Sequence, residues 1–88
     1  MSVKYCRLSA DQGYSPAQAT LGLYYEMGKG VAEDFKEAVK YFQLAAVQGY
    51  ARAQYLLGGC YEDGRGVERD LNEAVKYYKL AADQGDVS

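Results

Sequence analysis

Histidine and tryptophan are absent from this chain of 88 residues, proline occurs once and cysteine twice. Without histidine, neither a Ser–His nor a Cys–His nucleophile pair can form, and the usual zinc ligand sets are missing. Neither sign of charge dominates: 10 basic residues face 12 acidic ones, a net charge of −2. That balance lacks the basic footprint of a nucleic-acid binder and the acidic excess of a disordered tail, so no nucleic-acid partner is expected. No apolar run approaches the ~20 residues needed to span a bilayer. Met1 is not followed by a charged and then apolar leader, and the chain as written reads as soluble, untargeted and cytoplasmic, with no membrane partner.

What the chain has in abundance is self-similarity. Residues 13–48 laid on 49–84 agree at 21 of 36 positions without a gap. Gly13 falls on Gly49, Ala17 on Ala53, Leu21 on Leu57, Gly22 on Gly58, Tyr25 on Tyr61 and Gly28 on Gly64. A period in the thirties marks stacked helical hairpins, none able to bury its apolar face alone. Residues 3–12 match 39–48, so the chain opens in the second helix of a unit. The expected organisation is one repeat domain, 1–88: a truncated unit over 1–12, full units over 13–48 and 49–85, and a tail over 86–88. A start in mid-unit points to a piece of a longer array or to a designed repeat chain.

Within a unit the periodicity gives two helices. Ser15, Pro16 and Gln18 predict an N-cap, a proline in the first turn and a capping box, and Gly28 a left-handed stop. Asp34 with Glu37 predicts a second box, opening a helix that runs to Val47. The copies are expected over 52–63 and 70–84, with Ala51 weakening the first start by about 1 kcal/mol for want of a serine. Gly22 and Gly58 interrupt helices, where close approach to small residues such as Ala45 and Ala46 is the expected compensation. Glu26, Glu37, Glu62 and Glu73 read as solvated carboxylates paired locally with lysine or arginine.

The pattern Ala17, Leu21-Gly22, Tyr25, Gly28, Gly30-Val31, Asp34, Ala38, Tyr41, Ala45-Ala46, Gly49, repeated from Ala53 to Gly85, resembles the Sel-one-like repeat, a relative of the tetratricopeptide repeat. The resemblance covers nearly the whole chain. It implies an all-α fold, a right-handed α/α superhelical solenoid, here of about two and a half repeats or five helices, with first helices lining the concave side. It also implies an adaptor role in protein complexes. Some bacterial relatives carry a disulfide in each hairpin, but Ala46 and Ala53 stand where such cysteines are expected. Cys6 and Cys60 belong to different units and read as buried thiols that stacking keeps beyond the ~7 Å between Cα atoms that a bridge requires.

Function follows from where the two units disagree. On the first helix, positions 15, 16, 19, 20, 23, 24 and 27 differ from 51, 52, 55, 56, 59, 60 and 63, while 14, 17, 18, 21, 22, 25 and 26 are shared. At 100° per residue the two sets occupy opposite halves of a wheel. The variable half is expected to bind a protein or peptide partner through Leu23, Tyr24, Met27, Arg52, Tyr55, Leu56 and Asp63. Packing between successive hairpins competes for part of that half. No catalytic residue, metal ligand or cofactor is expected. Two other classes remain open: a structural element that self-associates weakly through its open repeat ends, and a hydrolase-type enzyme as proposed for some cysteine-rich relatives. The lack of histidine and of thiol staples speaks against the second.

Overall fold

A computed structural model describes residues 3–84. Five helices follow one another, with no strand among the described residues: α1 (Val3–Asp11), α2 (Ser15–Met27), α3 (Phe35–Ala46), α4 (Ala51–Asp63) and α5 (Leu71–Asp83). α2 packs on α3 and α4 on α5 as hairpins, and α1 on α2 and α3 on α4 join one unit to the next. The chain is therefore the helical solenoid that its repeat predicts. The expected stop at Gly85 and the tail 86–88 lie outside the described residues.

The second helices start as their sequence dictates. Asp34 Oδ1 accepts the backbone N–H groups of Lys36 (3.1 Å) and Glu37 (3.2 Å), and Asp70 Oδ1 those of Asn72 (3.0 Å) and Glu73 (3.2 Å). Each bond satisfies a donor that the first turn leaves without an intrahelical partner. The first helices do not start as expected. Tyr14 and Tyr50 occupy the N-cap positions in extended backbone and make no side-chain cap, so Ser15 already lies inside α2. Since neither start uses a side-chain cap, the serine-to-alanine difference at 15 and 51 carries no capping deficit.

Gln18, expected in a capping box, instead works between helices. Its Nε2 donates to the Ala10 carbonyl at the end of α1 (3.1 Å), and its Oε1 accepts from Gln48 Nε2 just past α3 (2.8 Å). The next unit repeats this: Gln54 donates to the Ala46 carbonyl (3.1 Å) and accepts from Gln84 (2.6 Å). Gln18 and Gln54 are buried polar side chains, each bonded at both the nitrogen and the oxygen of its amide.

Two apolar clusters surround these amides. Cys6, Ala10, Ala17, Leu21 and Tyr41 form one. Ala19, Ala38, Val39, Phe42, Ala45, Ala46, Ala53, Leu57 and Cys60 form the other, which spans the α3–α4 seam. Cys6 and Cys60 are not bridged to one another, and both are fully buried, one in each cluster. Tyr25 stacks on Tyr41 and Tyr61 on Tyr77, with ring centroids 5.8 Å apart in both hairpins.

The helical glycines face aromatic rings, not Ala45 and Ala46. A Cβ at Gly22 would stand 2.6 Å from Phe42 Cε1, and one at Gly58 would stand 2.9 Å from the Tyr78 ring. A different approach occurs in the turns between paired helices. Gly66, at φ 72°, lies against the backbone of Phe35 at the start of α3, where a Cβ would come 2.6 Å from the carbonyl carbon and 2.9 Å from Val39 Cγ2. Gly13 also has positive φ (87°), yet nothing lies within 4 Å of a Cβ there. Gly13→Ala should therefore cost only the left-handed strain, about 1 kcal/mol. Gly66→Ala adds backbone overlap and should cost about 3 kcal/mol. Urea midpoints of the two variants measure the difference; equal losses would show that the turn does not bear on α3.

Candidate partner-binding surface

The half-wheel shared by the two units is the buried one. Ala17, Gln18, Leu21 and Gly22 are buried on α2, as are Ala53, Gln54, Leu57 and Gly58 on α4. The variable half divides in two. Ala19 is only 2% exposed, packed at the seam with α4, and Cys60 is buried where α4 meets the preceding unit. These positions serve stacking, so the apolar character of Cys60 belongs to the core and not to a free surface. The remainder of the variable half is half-buried or exposed.

Four of the seven expected contact residues meet there. Leu23 on α2 and Arg52, Tyr55 and Leu56 on α4 line a concavity of about 210 Å³. Arg52, Tyr55 and Leu56 adjoin because residues three and four apart share a helix face. Leu23 comes to them from the preceding hairpin because α2 and α4 run past each other on one side of the stack. Leu23 and Leu56 are half-buried against the seam cluster, which fixes them as walls. Tyr55 is 46% exposed and its ring lies 5.3 Å from that of Tyr78.

The other three stand apart from the concavity. Tyr24 is half-buried against the cluster of Cys6 and Leu21, with the Lys29 ammonium 5.8 Å above its ring. Met27 is exposed at the last turn of α2. Asp63 ends α4, 3.5 Å from Arg65 Nε.

Arg65 reveals a polar group that the sequence reading assigned differently. Its Nη1 lies 3.1 Å from Glu26 Oε2, joining the turn after α4 to α2 of the preceding hairpin. Glu26 is therefore a seam residue and not a solvated one. Its side chain is largely buried, and the same oxygen accepts from Cys60 Sγ at 3.9 Å. Arg65 Nε is buried without a hydrogen bond, its approach to Asp63 being ionic only. The signal was present in the substitution of Lys29 by Arg65 between units, because arginine alone offers a fork that two carboxylates can share. The equivalent acid of the second unit, Glu62, accepts from the Tyr78 hydroxyl at 2.7 Å, and burial together with that bond pushes Tyr78 up to about 12.

The seam also sets the chemistry of the thiol. Burial first, and the Glu26 carboxylate second, push Cys60 up from 9.0 to about 11. A folded-state value above the unfolded one gives stability that is intact below pH 9 and is lost as pH rises through 11. The stability advantage of the wild type over Cys60→Ala should narrow across that window, as followed by denaturant unfolding at each pH. Thiol titration should find both cysteines slow to react until the chain unfolds. A Cys60 that reacts at the rate of a free thiol would show that the seam opens.

Among the described residues, no helix is long and apolar enough to cross a membrane, and no group of three or more His, Cys, Asp and Glu side chains could hold a metal ion. No curated protein matches the chain significantly. Among solved structures, a protective antigen of uropathogenic Escherichia coli with an SLR fold is similar at 45% identity and a TM-score of 0.91. The match covers 93% of this chain and 18% of that one. A Sel1 repeat protein of Oxalobacter formigenes is similar at 38% identity and a TM-score of 0.93, over 94% of this chain and 63% of that one. Cysteine-rich protein B of Helicobacter pylori is similar at 26% identity and a TM-score of 0.90, over 94% and 62%. The chain thus spans less than two thirds of each of these proteins. Residues 1–14, 15–50 and 51–86 match the Sel1 repeat, the same three units that the helices build, and the chain belongs to the Sel1 repeat family.

Proposed function

We propose that the chain is an adaptor module that holds a peptide or protein partner against the first helices of its repeats. Sel1 repeat proteins are in general protein-interaction modules. The observation that carries the reading is the concavity between α2 and α4, walled by residues that differ from unit to unit. Leu23, Leu56 and Tyr55 offer apolar and aromatic area for an anchor side chain, the kind of contact that dominates interface energetics. Tyr24, Met27 and Asp63 extend the contact towards the helix ends. On the second helices Lys36/Asn72 and Gln43/Lys79, which differ between units and face solvent, are polar, and the exposed apolar residues Leu44/Leu80 and Val75 stand at positions that the two units share.

Affinity capture with the chain as bait identifies a partner, and titration of that partner tests the face. Tyr55→Ala combined with Leu56→Ala should weaken binding by about 2 kcal/mol while helicity is retained. Loss of binding on changing Lys36 or Gln43, with the α4 variant unaffected, would move the site to the second helices.

A second reading is favoured by one contrast. Val39 is 5% exposed under α4, whereas its counterpart Val75 is 62% exposed on α5. Ala19 and Tyr55, equivalent positions, differ in the same sense. In the described chain the last hairpin thus shows the face with which the preceding hairpin binds its neighbour, and a second copy fits that face. Sedimentation velocity from low to high micromolar concentration should show the mass rising, and Val75→Lys should suppress the rise. A constant monomer mass excludes self-association through this face.

A further inference from the structure

The partner's chemistry can be taken one step further, on the reading that the first-helix concavity is the binding surface. We propose that this concavity selects an acidic peptide segment, with an apolar side chain seated between Leu23 and Leu56 and a neighbouring carboxylate paired with Arg52.

Arg52 is the cation of the concavity, and among the described residues it has neither an ion pair nor a hydrogen bond. The other arginines are all engaged. Arg7 donates to the Tyr25 hydroxyl at 2.6 Å, Arg65 is paired with Glu26 at 3.1 Å, and Arg69 donates to the Glu62 carbonyl at 3.1 Å. The sequence around Arg52 explains its isolation. Positions three and four away are Gln48, Gly49, Tyr55 and Leu56, so no acid stands at helix spacing to neutralise it. Asp63, the acid that ends the same helix, lies about 16 Å further along the axis at 1.5 Å per residue, and it faces Arg65.

An unpaired guanidinium beside half-buried leucines matches a ligand that presents a carboxylate next to an apolar group. The planar fork donates to both carboxylate oxygens, and the adjoining apolar contact excludes water that would otherwise weaken the pair. A polyanion is a poor fit, since the chain carries a net charge of −2 and, among the described residues, Arg52 alone of the basic ones lines the concavity. One carboxylate per anchor side chain is what the site can read. The preceding unit has Pro16 at the equivalent position, so this preference belongs to the second hairpin alone.

The test is a nitrogen-15 NMR titration of the intact chain with two acetylated, amidated tripeptides, leucine-glutamate-leucine and leucine-glutamine-leucine, at up to millimolar concentration. Both should shift the amide signals of Leu23, Tyr55 and Leu56, and the glutamate peptide should bind about tenfold more tightly, the range of a charge-assisted pair with an apolar flank. Arg52→Gln, at an exposed position, should leave the spectrum of the core unchanged and abolish the preference. Molar salt should narrow it in the wild type. Equal affinity for the two peptides overturns carboxylate selection and leaves the concavity as an apolar binding surface. Shifts confined to α1, α3 or α5, or no shift with either peptide, overturn the surface assignment and the selection together.

Discussion

At each seam of the stack, the C-terminus of a second helix meets the flank of the following first helix, where its last carbonyl groups lie away from water. A helix end leaves four such groups without an intrahelical donor, and burying them unpaired is costly. The Ala10 and Ala46 carbonyls already accept the backbone N–H groups of Gly13 (2.9 Å) and Gly49 (3.0 Å); Gln18 and Gln54 give each a second donor, and their own oxygens are taken up by Gln48 and Gln84. One side-chain amide thus ties three consecutive helices. The apolar clusters on either side supply most of the burial free energy, but burial has no direction, and these bonds fix which turn of one helix lies against which turn of the next. The concavity depends on that register, since Leu23 reaches Arg52 and Leu56 only if the two hairpins are aligned end to end.

The fold was open to sequence reading because it is written twice. The 36-residue match, the N-caps at Asp34 and Asp70 and the helix stop at Gly28 each reappear in the structure at the positions read from sequence. The return half of each capping box does not, the Asp34 and Asp70 N–H groups donating to the Tyr25 and Tyr61 carbonyls. The errors came where a residue suited to a local role was taken by a tertiary one. Ser15 looks like a cap, yet Tyr14 already has the extended backbone of that position. Gln18 looks like part of a capping box, yet a carbonyl from another helix claims its amide. Gly22 was matched with alanines because both are small, but the residue that needs room is Phe42, fully buried across the hairpin. Single-helix patterns carry no information about which neighbour arrives.

The candidate surface was legible to a lesser degree for a related reason. Differences between units locate the half of the first helix that the hairpin does not need, but that half answers to two demands. Ala19 and Cys60 vary because seams accept different shapes, while Arg52, Tyr55 and Leu56 vary at positions that look outward. The two demands separate only when the position of the neighbouring unit is known. Glu26 shows the same ambiguity in polar form: identical with Glu62 in sequence, it is drawn into a seam by Arg65, while Glu62 turns to a tyrosine of its own hairpin.

The contact of Gly66 with the Phe35 backbone has a bearing on how such an array can change over time. Side chains usually set the distance between packed helices, so altering them shifts curvature and binding surface together. Here part of the spacing is a stop of backbone on backbone, placed at the far end of the helices from Arg52. At this seam the spacing is held by atoms that every residue possesses, whereas the equivalent Gly30 meets the Val3 side chain, and residues on the open side of the second hairpin can be exchanged without altering it. Specificity can then diversify rapidly on a frame of constant shape, one hairpin at a time.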